Sequence, residues 1–303
     1  MPTQYPIGQP GQKWGKEQIE QWRARQQYQR SYKDEVLDKL QQLPSACVAE
    51  QYGELQYQKS YPLMAIKSAQ WVANRATILV TGGVHGYETS GVQGALLFAK
   101  EYLEQYQNEF NIVITPCVSP WGYEHIQRWN PNAVDPNRSF YPNTPSDEAR
   151  LLSEYVATIK SPIVLHMDLH ETTDSDEQEF RPALAARDGE EFQPEQIPDG
   201  FYCVGKTENP QLGFLEAVIE SVKTVTHIAP ADAKGQIIGS KVLSEGVIMY
   251  AMQELGLCGS LTNANYHTTT EVYPDSPKAN DDICNQAQIA SLLGAINYLK
   301  AHA

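Results

Sequence analysis

The chain has 303 residues, of which 41% are hydrophobic and 20% charged. This is the balance of a folded globular protein, long enough for one large α/β domain or two small ones. Its formal net charge of -14 repels phosphate backbones and disfavours nucleic-acid partners. Cys47, Cys117, Cys203, Cys258 and Cys284 are odd in number and include no C-x-x-C pair, which argues against a disulfide framework or a thiolate zinc site. The N-terminal stretch lacks the apolar run of a signal peptide. No run of about 18 apolar residues occurs, so no membrane span is expected. The reading is a soluble, cytoplasmic protein.

Residues 1–14 read as an irregular arm. Residues 15–42 read as one helix, with Ile19, Trp22, Tyr28, Tyr32, Val36, Leu37 and Leu40 at roughly helical spacing. Residues 46–66 suggest two strands with Gly53 in the turn between them. Residues 76–81 (ATILVT) form a nearly continuous apolar run, the mark of a buried strand. A helix over 90–107, a strand over 111–116 and a long loop over 118–145 follow. Ser146 with Asp147 and Glu148 opens a helix to about 159, and 161–169 (SPIVLHMDL) is another buried strand. The acidic stretch 171–200 reads as loops. Helices are expected at 209–222, 243–256 and 281–301, and a strand at 266–271. Strand and helix alternate, which predicts an α/β, doubly wound, mixed but mostly parallel sheet with helices on both faces. Without internal repeats, residues 46–303 read as one catalytic domain, with the arm and helix of 1–45 packed on it.

The sequence Gly82-Gly83-Val84-His85-Gly86-Tyr87-Glu88 lies between a strand and a helix, where open α/β sheets place their ligands. His85 and Glu88 offer an imidazole nitrogen and a carboxylate that can converge on one ion. These are suitable zinc donors, although a lone H-x-x-E is weak evidence. A catalytic zinc needs a third protein ligand and an open position. His170, ending the strand 161–169, projects at the same sheet edge. Asp168, on the same strand face, is a partner for that imidazole. His166 shares the face but lies roughly 13 Å back along the strand and reads as a core histidine. His125, His227, His267 and His302 lack comparable context.

The long loop carries Arg128 and then Asn137-Arg138 among prolines and aromatics, a set able to clamp a carboxylate. Glu271, at the end of the strand 266–271, can take a proton from a water and pass it to a leaving amine. The run Asp174-Ser175-Asp176-Glu177 reads as a solvated loop.

With these five parts in order, the chain resembles the M14, or carboxypeptidase A, family of zinc metallopeptidases. Its pattern is H-x-x-E, then Arg, Asn-Arg, His and Glu. Residues 135–140 (DPNRSF) resemble the family's D-L-N-R-N-F, and residues 120–124 (PWGYE) its N-P-D-G-Y stretch, with Trp121 replacing the acidic residue. The resemblance implies one zinc ion on His85, Glu88 and His170. It implies Glu271 as general base and then acid, and Arg128 as the group that polarises the scissile carbonyl. Asn137 and Arg138 would hold the terminal carboxylate. The family's mobile tyrosine falls on Tyr250 or Tyr266.

A related branch contains aspartoacylase and succinylglutamate desuccinylase. Its D-L-H-N-T-T resembles residues 168–173 (DLHETT), and its E-V-G-P resembles Glu271-Val272. That branch continues past its catalytic Glu with a β-rich domain. Only a short tail and a helix follow Glu271 here, which favours a peptide substrate over an N-acyl amino acid. Both carry a free carboxylate. A non-catalytic zinc- or peptide-binding protein on the same scaffold is the rival from another class. Retention of Glu271 and Arg128 argues against it.

Overall fold

The computed structural model describes residues 5–302. Eight strands form one mixed sheet in the order β1-β2-β4-β3-β5-β10-β6-β9. They are β1 (Cys47–Gln56), β2 (Ser60–Ser68), β3 (Thr77–Gly82), β4 (Asn111–Thr115), β5 (Ile163–Glu171), β6 (Tyr202–Lys206), β9 (Val247–Tyr250) and β10 (Tyr266–Val272). A separate two-stranded hairpin joins β7 (Gln236–Ile237) to β8 (Ser240–Lys241). The centre, β4-β3-β5-β10, is parallel. The helices are α1 (Lys16–Arg25), α2 (Asp38–Leu40), α3 (Thr89–Glu101), α4 (Leu103–Tyr106), α5 (Pro120–His125), α6 (Asp147–Ala157), α7 (Arg181–Asp188), α8 (Leu212–Val222) and α9 (Asp281–Ala301). None is long and apolar enough to cross a membrane.

The central strands are apolar on both sides because helices cover both faces. Ile78 and Val80 of β3 point to the face that holds Phe98 of α3, Leu215 of α8 and Leu292 of α9. Leu79 points to the opposite face, against Ala149, Leu152 and Val156 of α6. Ser146 caps α6 by accepting from the Ala149 amide, as its sequence suggests. The expected α/β architecture is therefore the one observed.

Several local expectations differ. The predicted helix over 15–42 breaks after Arg25, where Gln26 is extended with ψ 134°. The Gln29 and Arg30 amides donate to the Glu124 carbonyl instead, so tertiary hydrogen bonds replace helical ones. Gly53 is not a turn residue; it follows a register shift inside β1, a β-bulge, and the turn lies at 57–59. The stretch 171–200 is not all loop, since it contains α7, with Pro182 in its first turn and Gly189 as left-handed cap. The segment 243–256 is not a helix. Gly246 at φ +66° admits the strand β9, whose VIMY sequence favours a sheet.

Two packing contacts position the site. Gln288 of α9 donates to the His170 carbonyl at 2.9 Å and accepts from Thr270 Oγ1 at 2.6 Å, tying β5 to β10 from below. Helix α3 approaches β5 so closely that a Cβ at Gly91 would overlap the Leu169 carbonyl. Gly91→Ala therefore forces α3 off the strand and is expected to cost about 2 kcal/mol. A lowered midpoint in urea denaturation measures it; an unchanged midpoint would show that the helix can shift freely.

Candidate active site

The loop between β3 and α3 delivers His85, and Glu88 stands at the N-cap position of α3. His170 lies on β5, directly paired with Glu271 on β10. Parallel pairing of two residues at their strands' carboxyl ends brings both side chains to one edge, as the sequence suggests. His85, Glu88 and His170 are almost fully buried, and one ligand atom from each lies within 4.8 Å of the others.

The orientation of the two imidazoles is specific. His85 Nδ1 lies 2.7 Å from Glu88 Oε1, and His170 Nδ1 lies 2.7 Å from Glu88 Oε2. Each ring turns its other nitrogen to an aspartate: His85 Nε2 to Asp135 Oδ1 at 3.0 Å and His170 Nε2 to Asp168 Oδ2 at 2.9 Å. Glu88 Oε2 is buried yet makes no hydrogen bond of acceptable geometry, although His170 is so near. Two Nδ1 atoms and an orphaned carboxylate oxygen facing one point, with both Nε2 atoms fixed by carboxylates, fit a divalent cation. Burial pushes the Glu88 carboxyl up, but the two imidazoles outweigh it and hold its pKa at about 2.

A cavity of about 220 Å³ opens beside this triad. Glu271, Arg128, Asn137, Arg138 and Tyr250 line it. Thr172 Oγ1 donates to Glu271 Oε2 at 2.8 Å. Burial raises the Glu271 pKa to about 8, against the opposing pull of His170, and a cation held by the triad would lower it. Asn137 Oδ1 accepts from the Cys258 amide at 2.7 Å, which fixes its side chain. Tyr266 is not in this set. Its ring packs on Phe214 and Tyr298 at the start of β10, the far end of the strand from Glu271. His166 is fully buried, beside Thr81 and Thr262.

Arg128 is anchored: Nε donates to Asp135 at 3.0 Å, and Nη1 to Asp176 and the Tyr87 hydroxyl at 3.2 Å each. Asp176 is therefore a buried partner, not part of a solvated loop. Tyr87, Asp176, Phe180, Arg181, Arg187 and Tyr202 also line the cavity and escaped the sequence reading. Tyr87 was legible in principle, because it sits between His85 and Glu88. The others follow His170 in stretches without periodic signal.

A family model described only as a protein of unknown function (DUF2817) matches residues 69–204, and no curated protein matches the chain. Solved structures do. A Shewanella amazonensis protein provisionally assigned as a metallopeptidase is 18% identical with a TM-score of 0.64, over 88% of this chain and 92% of that one. The Burkholderia cenocepacia metallo-carboxypeptidase is 14% identical with a TM-score of 0.60, over 96% and 70%. A Pseudomonas aeruginosa metallo-carboxypeptidase, solved with (2-guanidinoethylmercapto)succinic acid, is 14% identical with a TM-score of 0.57, over 94% and 69%. The chain has the metallo-carboxypeptidase fold.

Replacing Arg128 by Met would leave Asp135 and Asp176 buried without their cation. Arg128→Met is expected to lose about 3 kcal/mol of stability, read by urea denaturation of metal-free protein. A loss under about 1 kcal/mol would show that solvent already screens the pair.

Proposed function

We propose that the chain is a zinc-dependent hydrolase that releases the C-terminal amino acid of a peptide. The observation that carries this reading is the imidazole geometry: two Nδ1 atoms and the Glu88 carboxylate share one focus, with Asp135 and Asp168 behind them. His85, Glu88 and His170 would hold one zinc ion. Zinc, when bound, supplies Lewis acidity that polarises a carbonyl and lowers the pKa of water to about 7.

The chain's own residues supply the rest. Glu271 takes a proton from the attacking water and delivers it to the leaving amine nitrogen as the C–N bond breaks. Thr172 holds its carboxylate in place. Arg128 has Nε and Nη1 committed to Asp135, Tyr87 and Asp176, which steadies the guanidinium so that Nη2 meets the developing oxyanion. Arg138, with Nη1 on the Asn137 carbonyl, and the Asn137 amide receive the terminal carboxylate. Tyr250, which also lines the cavity, would close on the bound residue. The carboxylate-bearing ligand of the Pseudomonas enzyme supports a substrate of this kind.

Glu271→Gln should lower kcat by about 10³-fold while zinc content, read by elemental analysis, stays near one per chain. Survival of turnover would remove Glu271 from the reaction. A zinc chelator should abolish hydrolysis, and added zinc should restore it. The substrate panel sets C-terminally varied peptides beside N-acyl amino acids; turnover of the acyl amino acids alone would reassign the chain to deacylation. Asp168→Asn should weaken zinc affinity 10- to 100-fold, measured by chelator competition, and an unchanged affinity would argue against His170 as a ligand.

A further inference from the structure

The apolar part of the cavity lining comprises Phe180, Leu184, Val204, Leu257 and Ile238, of which Val204, Leu257 and Ile238 pack in one cluster. Ile238 differs from the others in its backbone. Its φ is +44°, in the left-handed region where a β-branched side chain crowds its own backbone. The cause is the hairpin. Ile237 pairs with Ser240, so Ile238 and Gly239 alone make the turn between β7 and β8. Gly239 also has positive φ, at +66°. Two successive positive values define the tight turn that Asn-Gly fits best, since Asn tolerates the first position and Gly the second. Glycine is where that rule puts it. Isoleucine stands where asparagine would relieve the backbone.

The strained residue is also the one the hairpin presents to the site. Ile238 is half-buried against the cluster of Tyr202, Val204 and Ile248, while the flanking Lys234, Gly235, Gly239 and Lys241 are exposed. Tyr202 and Val204 share a sheet face with Glu271 and Thr269, to which they are paired. That face leads away from Glu271 into the cavity. An aliphatic group held there lines the path of a side chain whose backbone lies at Glu271 and Arg138.

We propose that Ile238 is a specificity-determining residue, kept at a strained turn position because its side chain packs against the side chain of the residue being released. This rests on the carboxypeptidase reading. It goes beyond that reading by assigning the preference to one residue and by tying the preference to a loss of stability.

The test sets stability against selectivity in the full-length, zinc-loaded protein. Ile238→Asn should raise Tm by about 2 °C, because the turn relaxes. It should also lower kcat/KM about 10-fold for a peptide ending in Leu, mainly through KM. A peptide ending in Ala, whose methyl is too short to reach the wall, should be hydrolysed as before. Ile238→Val, which keeps the branched shape, should retain most of the Leu-over-Ala preference. An unchanged Leu-to-Ala ratio in Ile238→Asn would overturn the proposal. A fall in Tm with equal losses on both peptides would also overturn it, since that is the signature of a residue that only covers the core. A wild-type chain that binds zinc but hydrolyses no peptide would overturn the carboxypeptidase reading and this proposal with it. Failure of the Leu-to-Ala ratio alone leaves that reading standing.

Discussion

Three carboxylates, Glu88, Asp135 and Asp168, surround two imidazoles in a site almost closed to water. Burying so much negative charge is costly unless each oxygen finds a donor. The chain meets this with Thr81 on Asp168, Arg128 and the Asn137 amide on Asp135, and the imidazoles on all three. One Glu88 oxygen is the exception. The surrounding arrangement makes sense around that exception: the carboxylates hold the rings so that their Nδ1 atoms and the unsatisfied oxygen present a single focus.

The backbone carries this constraint outward. His170 and Glu271 meet because β5 and β10 run parallel in that register, and a slip of β10 by one residue would turn Glu271 to the face where Thr270 now meets α9. Gln288 guards the register by bonding both strands from α9. Glu171, next along β5, faces the other side and accepts from the Thr89 and Ser90 amides at 3.1 and 2.7 Å. Its carboxylate thus caps the helix that follows Glu88. Adjacent residues on one strand thereby serve the site and the helix that frames it.

The parts legible in the sequence were those with a local cause. Buried parallel strands are apolar throughout, so 76–81, 111–116 and 161–169 stand out, and α9 (Asp281–Ala301) matches the helix expected over 281–301. The convergence of His85, Glu88, His170 and Glu271 at one edge is legible because each ends a strand or follows one. The break after Arg25 was not legible, because it is made by Glu124, about a hundred residues away. The apolar run 247–250 read as helix until Gly246 and its neighbour β6 gave it a sheet edge. Tyr250 and Tyr266 are not separable by sequence, since the difference lies in tertiary packing: Tyr250 reaches the cavity from the edge strand β9, while Tyr266 is held by Phe214 and Tyr298. Asp176 looked solvated because its partner, Arg128, lies 48 residues earlier.

Arg30 stands in the extended break between the first two helical segments. It donates to the Gly86 and Tyr123 carbonyls and the Thr89 hydroxyl, bracing the loop that carries His85 and Glu88 from outside. These partners lie 56 to 93 residues further along the chain. During synthesis Arg30 therefore emerges well before anything it can grip. Gly86 and Thr89 come within its reach first, Tyr123 follows, and the loop can meet His170 only once β5 has been made. The three side chains of the candidate metal site can thus meet only after Arg30 and the loop it grips have both been made.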